Sequence, residues 1–138
     1  MQLIYKNSIS VDDYLFLRKS VKWVELCREQ AQQGLENSAY IISCYDNNKV
    51  VGITRIVWDR GYIAYLSDVI VSPEYQGNGI GKRMVENAID FVKSNLKINW
   101  KIKIVLVSAK GKERFYKKFG FNERPNNESG AGMDLWVV

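Results

Sequence analysis

The chain has 138 residues and a mass of 15.9 kDa, the usual size of one domain, in which roughly 70% of the unfolded surface is buried on folding. Hydrophobic residues make up 46% and charged residues 25%, with two prolines and no biased tract, which excludes disordered and collagen-like classes. Histidine is absent, which removes Ser-His-Asp and Cys-His pairs, HExxH sites and every zinc arrangement that needs imidazole, and Cys27 and Cys44 are too few for a thiolate cage. The expectation is therefore one domain over residues 1–138, holding no metal. With no signal peptide and no stretch of 18 apolar residues, the reading is a cytoplasmic protein without a membrane span.

Twenty Lys and Arg against fifteen Asp and Glu give a net charge of +5. That balance suits either a phosphate-rich partner or a solvated basic face, and Lys93–Lys103 and Lys110–Lys118 hold many of the cations. Nucleic acid is disfavoured, because no helix combines a continuous basic stripe with base-reading aromatics.

Gln2 to Lys6 alternates as a strand, and Ser10 with Asp13 is a capping-box start for a helix through Tyr14, Leu15 and Leu17. A second helix is predicted from Trp23 to about Gln33, ending at Gly34. Ala39–Tyr45, Val50–Trp58 and Tyr62–Val71, divided by Asp46-Asn47-Asn48 and Arg60-Gly61 turns, read as an antiparallel meander. Ile80, Met84, Val85, Ala88, Ile89, Val92 and Leu96 recur at helical spacing, and Ile102–Val107 is an apolar strand, so strand, helix and strand form a βαβ unit. The sheet is predicted to be mixed. A short helix from Lys112 to Phe119 closes at Gly120, and Gly132–Val138 is expected to add a last strand.

Gln76-Gly77-Asn78-Gly79-Ile80-Gly81 lies between a strand and the longest helix, where free amides and the helix dipole can hold an anion. A P-loop fails on spacing, since its first glycine would fall on Gln76 and Arg83 stands where Ser or Thr is needed. A dinucleotide fingerprint fails as well, with Lys82 in place of its third glycine.

The context of this loop resembles the GCN5-related N-acetyltransferase (GNAT) superfamily, with Gln76, Gly79 and Gly81 matching its acyl-CoA signature of Gln or Arg, two residues, Gly, one residue, Gly or Ala. Val71-Ser72-Pro73 and the Phe-Tyr-x-x-x-Gly-Phe segment from Phe115 to Phe121 match the flanking motifs. The resemblance implies an α/β fold in which an antiparallel meander is followed by a βαβ unit with a splayed parallel strand pair. It implies acetyl-CoA as the acyl donor, its pyrophosphate received by the amides of Gly77, Asn78, Gly79, Ile80, Gly81 and Lys82, with Gln76 opening the motif. Val69, Ile70 and Val71 would pair with the pantetheine arm as an added strand, and an amide there would polarise the thioester.

The activity implied is acetyl transfer to a primary amine of a small molecule by direct attack. A non-catalytic acyl-CoA-binding module and acetylation of a protein or peptide amine are the alternatives. A homodimer is compatible with the sequence. Tyr116 is the matched acid for the departing thiolate, with core filling as the alternative, a role expected to fall to Phe115 and Phe119 at i and i+4 instead. Asp68 is the nearest acid to the implied acetyl position and is open to three roles: base through water, binder of a substrate ammonium together with Tyr65, or acceptor at a strand irregularity. Asp59 and Glu74 flank the same region. Two positions depart from the family pattern: Ala109 stands where an Asn often binds pantetheine, and Tyr65 where histone-type members carry a glutamate base. Trp23, Tyr40, Tyr62 and Tyr65 read either as an aromatic pocket or as the product of a tyrosine-rich sheet. Both cysteines read as core residues rather than nucleophiles.

Overall fold

The computed structural model describes Met1–Val138. The chain divides into two compact units, Met1–Val105 and Leu106–Val138.

The first unit is a five-stranded sheet in sequence order: β1 (Leu3–Lys6), β2 (Tyr40–Asp46), β3 (Lys49–Trp58), β4 (Ile63–Val71) and β5 (Lys103–Val105). Neighbours from β1 to β4 are antiparallel, whereas β4 and β5 are parallel, as the expected βαβ unit requires. Helices α1 (Val11–Ser20) and α2 (Arg28–Glu36) precede β2, and α3 (Ile80–Ser94) crosses from β4 to β5.

Ser10 Oγ accepts the Asp13 amide at 3.1 Å, which satisfies one of the open donors at the start of α1. Val11, Tyr14 and Leu17 then fall on one face and pack with Ala31 and Leu35 of α2 and with Tyr45, Val50, Ile53 and Ile70 of the sheet. A second cluster joins Ile42, Cys44 and Val51 to Ile80 and Met84 of α3. Five of the seven residues read from the periodicity, Ile80, Met84, Val85, Ala88 and Val92, form the buried stripe of α3, whereas Ile89 is half-buried and Leu96 lies exposed beyond the end of the helix.

Gly52 sets how closely α3 approaches the sheet. A Cβ there would lie 3.0 Å from Met84 Cε and 3.3 Å from both the Ile70 carbonyl oxygen and Ile80 Cγ2.

Three expectations need correction. Residues 23–27 are not helical: α2 begins at Arg28 and runs past Gly34 to Glu36. The chain instead turns at Lys22, where φ is 60°, and the Trp23 amide donates to the Arg18 carbonyl at 3.1 Å. Cys27 is the exposed residue before α2, not a core residue, while Cys44 is buried as expected, its thiol pushed up by burial.

The third correction lies in the second unit, where Gly132–Val138 forms no strand. There α4 (Glu113–Lys117) is followed by a turn in which the Gly120 amide donates to the Lys117 carbonyl. Lys117 pairs with Glu123 at 2.8 Å, and Arg124 Nε donates to the Gly130 carbonyl at 2.7 Å.

Gly52→Val should destabilise the first unit by about 1–3 kcal/mol through overpacking. A denaturation midpoint equal to wild type would show that α3 can move away at no cost.

Candidate acyl-transfer site

Pairing between β4 and β5 stops at Tyr65 opposite Val105, yet β4 continues to Val71. From Leu66 onward its β5-facing edge has no partner strand, so the parallel pair parts toward its C-terminal end. This is where open α/β sheets place their ligands.

The free stretch carries an irregularity. On β3, Ile53 and Arg55 oppose Ile70 and Ser67, so Asp68 and Val69 together face the single residue Thr54. Asp68 takes φ 56°, a left-handed conformation that costs about 1–2 kcal/mol for most side chains and less for Asp. Its carboxylate is heavily engaged. Oδ2 accepts from Tyr14 Oη at 2.6 Å and from Arg55 Nε at 2.6 Å, and Oδ1 lies 3.5 Å from Arg18 Nη1. The side chains of Asp68, Arg55 and Arg18 are 9%, 16% and 10% exposed, so the group is nearly dry.

The electrostatics follow from this packing. Burial and then the Asp68 charge push the Tyr14 phenol up, so it stays a donor at neutral pH. Burial works against the charge of Arg55, but the Asp68 carboxylate outweighs it and raises the guanidinium. Arg55 also donates to the Gly34 carbonyl and Ser38 Oγ at the end of α2, at 3.2 and 3.1 Å.

Beyond β4 a 3-10 turn (Pro73–Tyr75) leads into the glycine loop. Gln76 Nε2 donates to the Val71 carbonyl at 3.0 Å and Asn78 Nδ2 to the Tyr75 carbonyl at 3.0 Å, which pin the loop to the strand end. Gly77 and Gly79 have φ of 84° and 79°, and nothing lies within 4 Å of a Cβ built on either. Their glycine requirement is conformational, and it leaves the backbone open. The Arg83 amide makes the first helical bond of α3, to the Gly79 carbonyl at 3.1 Å, so the amides of Ile80, Gly81 and Lys82 are first-turn donors. No acidic residue occupies that turn, and Lys82 adds a cation. The chemistry of this cradle suits a pyrophosphate.

The other predicted residues are dispersed. Tyr65 stands at the parting of β4 and β5. Asp59 Oδ1 accepts the Gly61 amide in a turn, and Glu74 is held by Lys49 at 2.8 Å. The four candidate pocket aromatics do not gather: Tyr40 stacks on Phe91 at 4.7 Å, Trp23 lies beside Arg18 and Tyr62 is exposed. In the second unit Tyr116 is the buried residue of α4, against Phe115 and Phe121 at 5.0 and 6.2 Å, whereas Phe115 and Phe119 are only half-buried.

Tyr14, Arg18 and Arg55 were not among the residues that the motifs point to. Their signal was present: Arg55 is a cation inside the β-branched stretch Val50–Val57, and Tyr14 and Arg18 sit four apart on the buried face of α1. No group of three or more His, Cys, Asp or Glu side chains is placed to hold a metal, and no helix is long and apolar enough to cross a membrane.

Asp68→Asn should lower stability by about 3–5 kcal/mol, because it leaves two buried guanidinium groups without their anion. A loss under about 1 kcal/mol in urea denaturation would show that the cluster does not organise the bulge.

The model of the Acetyltransferase (GNAT) family matches residues 9–121. An uncharacterized N-acetyltransferase, ycf52, of Pyropia yezoensis is 33% identical over 115 residues, which cover 80% of this chain and 64% of that protein. The chain thus spans just under two thirds of that relative's length. A probable acetyltransferase from meticillin-resistant Staphylococcus aureus is 26% identical and superimposes with a TM-score of 0.88 over 99% of this chain and all of the other. Glucosamine-6-phosphate N-acetyltransferase from Arabidopsis thaliana, 16% identical, shares the fold with a TM-score of 0.74 over the full length of both. The strand parting at Tyr65, the glycine cradle before α3 and these matches place the chain in the GNAT acetyltransferase family.

Proposed function

We propose that the chain transfers the acetyl group of acetyl-CoA to a primary amine of a small molecule, by direct attack in a ternary complex. What carries this reading is one feature of the sheet: β4 runs on from Leu66 to Val71 beyond its parallel partner and leads directly into a glycine cradle at a helix N-terminus. An extended arm laid along Val69, Ile70 and Val71 takes the place of the missing strand, while the amides from Gly77 to Lys82 receive the pyrophosphate.

In the chemical step the amine nitrogen attacks the thioester carbonyl carbon, the C–S bond breaks, and the thiolate takes a proton. Orientation and main-chain stabilisation of the oxyanion carry most of the barrier reduction. Tyr116 is assigned as the acid from its place in the Phe-Tyr-x-x-x-Gly-Phe segment. Its hydroxyl serves the departing sulfur by proton transfer or by a strong hydrogen bond.

Asp68 we assign to the bulge rather than to proton abstraction. Accepting a proton would cost it the Arg55 and Tyr14 bonds that hold the strand in shape. The amine therefore gives up its proton to water.

CoA at a hundredfold excess over its Kd should stabilise the protein by about 2.7 kcal/mol, seen as a rise in Tm. Gly79→Asp should abolish the rise and Gly79→Asn should keep most of it, because both tolerate a positive φ and only one opposes an anion. No shift in wild type at millimolar CoA would end the assignment.

Tyr116→Phe should leave the CoA-induced Tm rise intact and lower kcat by about 100-fold to 10,000-fold, with little change in KM for acetyl-CoA. Single-turnover kinetics isolates the step. A wild-type rate would make water the acid. A clear CoA shift with no amine acetylated in a broad panel would favour the acyl-CoA-binding module.

A further inference from the structure

The residues between α1 and α2 wall a depression of about 520 Å³ whose lining includes Leu15, Phe16, Arg18, Lys19, Lys22 and Trp23. Arg18 is the informative member. Its side chain is nine-tenths buried, yet its one close hydrogen bond is from Nη2 to the Val24 carbonyl at 2.8 Å. Nη1 reaches Asp68 only at 3.5 Å, and Nε is buried with no partner at all. Arg55, by contrast, has three close acceptors.

The local charge does not balance either. Arg18 and Arg55 share one carboxylate, and Asp68 is committed to Arg55 and Tyr14 through Oδ2. The cluster therefore carries one uncompensated positive charge in a site with little water, an arrangement that is costly unless an anion completes it. Lys19, Lys22, Asp12 and Glu25 also line the depression, and Asp12 is paired with Arg28. The ion pair of Arg18 is with Asp68 and with neither of these acids. The rest of the wall is apolar, from Leu15, Phe16, Trp23, Val24 and Leu26.

We infer that this depression is the acceptor subsite and that it reads a carboxylate on the acceptor through Arg18, so the substrate is an amine that also bears a carboxylate and an apolar body. The inference rests on the acetyl-transfer reading and adds the class of acceptor. One excess charge calls for a monoanion, and the planar guanidinium with spare donors matches a carboxylate. Because Arg18 touches Asp68, which precedes Val69, an acceptor anchored there presents its amine to the strand stretch assigned to the thioester.

The test uses ω-amino acids from glycine to 6-aminohexanoate together with L-phenylalanine, each compared with its amide and with the corresponding alkyl amine. Acetylation is followed by thiol release from acetyl-CoA. Wild type should prefer the carboxylates. Arg18→Gln should lower kcat/KM for them by about tenfold to hundredfold while changing the neutral amines less than threefold, and this double ratio cancels differences in amine basicity. An equal fall for both sets would make Arg18 merely structural and overturn the inference, as would the absence of any preference in wild type.

Should Arg18→Gln not fold, the exposed Lys22→Glu should cut the preference for carboxylates in the same direction, and an unchanged preference counts against the subsite. If no amine is acetylated, the acetyl-transfer reading fails by itself. The subsite is then judged by binding of 6-aminohexanoate in calorimetry: binding to wild type that is lost in Arg18→Gln sustains it, and no binding to wild type ends it.

Discussion

The carboxylate of Asp68 is the point on which the first unit turns. It ties α1 through Tyr14, β3 through Arg55, and, through the second contacts of Arg55, the end of α2 at Gly34 and Ser38. These contacts hold a residue whose φ of 56° no regular strand would adopt, and so they fix an irregularity that hydrogen bonding along the ladder would otherwise erase. The consequence reaches function through geometry. A bulge at residues 68 and 69 changes the direction of every group from Val69 to Val71, the stretch with no β5 partner.

The second requirement is that the helix N-terminus sit at the end of that stretch, and it is met by packing. Met84 and Ile80 descend onto β3 where Gly52 has no side chain, while Gln76 ties the loop to the end of β4 at Val71 and Asn78 ties it to the 3-10 turn at Tyr75. Gly77 and Gly79 then take positive φ with open space beside each of them. A strand edge supplies donors and acceptors in a line, a helix N-terminus supplies donors at a point, and the two lie a few residues apart on one continuous segment.

Most of this architecture was legible in the sequence because it is periodic. The meander, the α3 stripe and the Ser10 cap follow from alternation, 3.6-residue spacing and capping chemistry, and the glycine loop follows from spacing and context. The misreadings have physical causes. Trp23, Val24 and Leu26 have helical spacing, but they wall a loop whose path is set by the turn at Lys22 and by Arg18 binding the Val24 carbonyl, neither of which periodicity encodes. Met133, Leu135 and Val137 alternate as a strand does, yet a strand also needs a neighbouring edge, and alternation says nothing of where one lies. The cluster of Tyr14, Arg18, Arg55 and Asp68 is assembled across as many as 54 positions, so no local motif marks it, although an arginine inside an apolar strand asks for a buried anion.

That cluster also bears on how proton transfer is divided. A base must have a lone pair facing the reacting amine, and in Asp68 the oxygen with the short contacts serves two donors while the other faces Arg18. Glu74 is committed to Lys49, and Asp59 closes a turn. With histidine absent from the chain, no imidazole can substitute. Each acid near β4 thus already holds a contact within the fold, which is the ground for assigning the amine's proton to water.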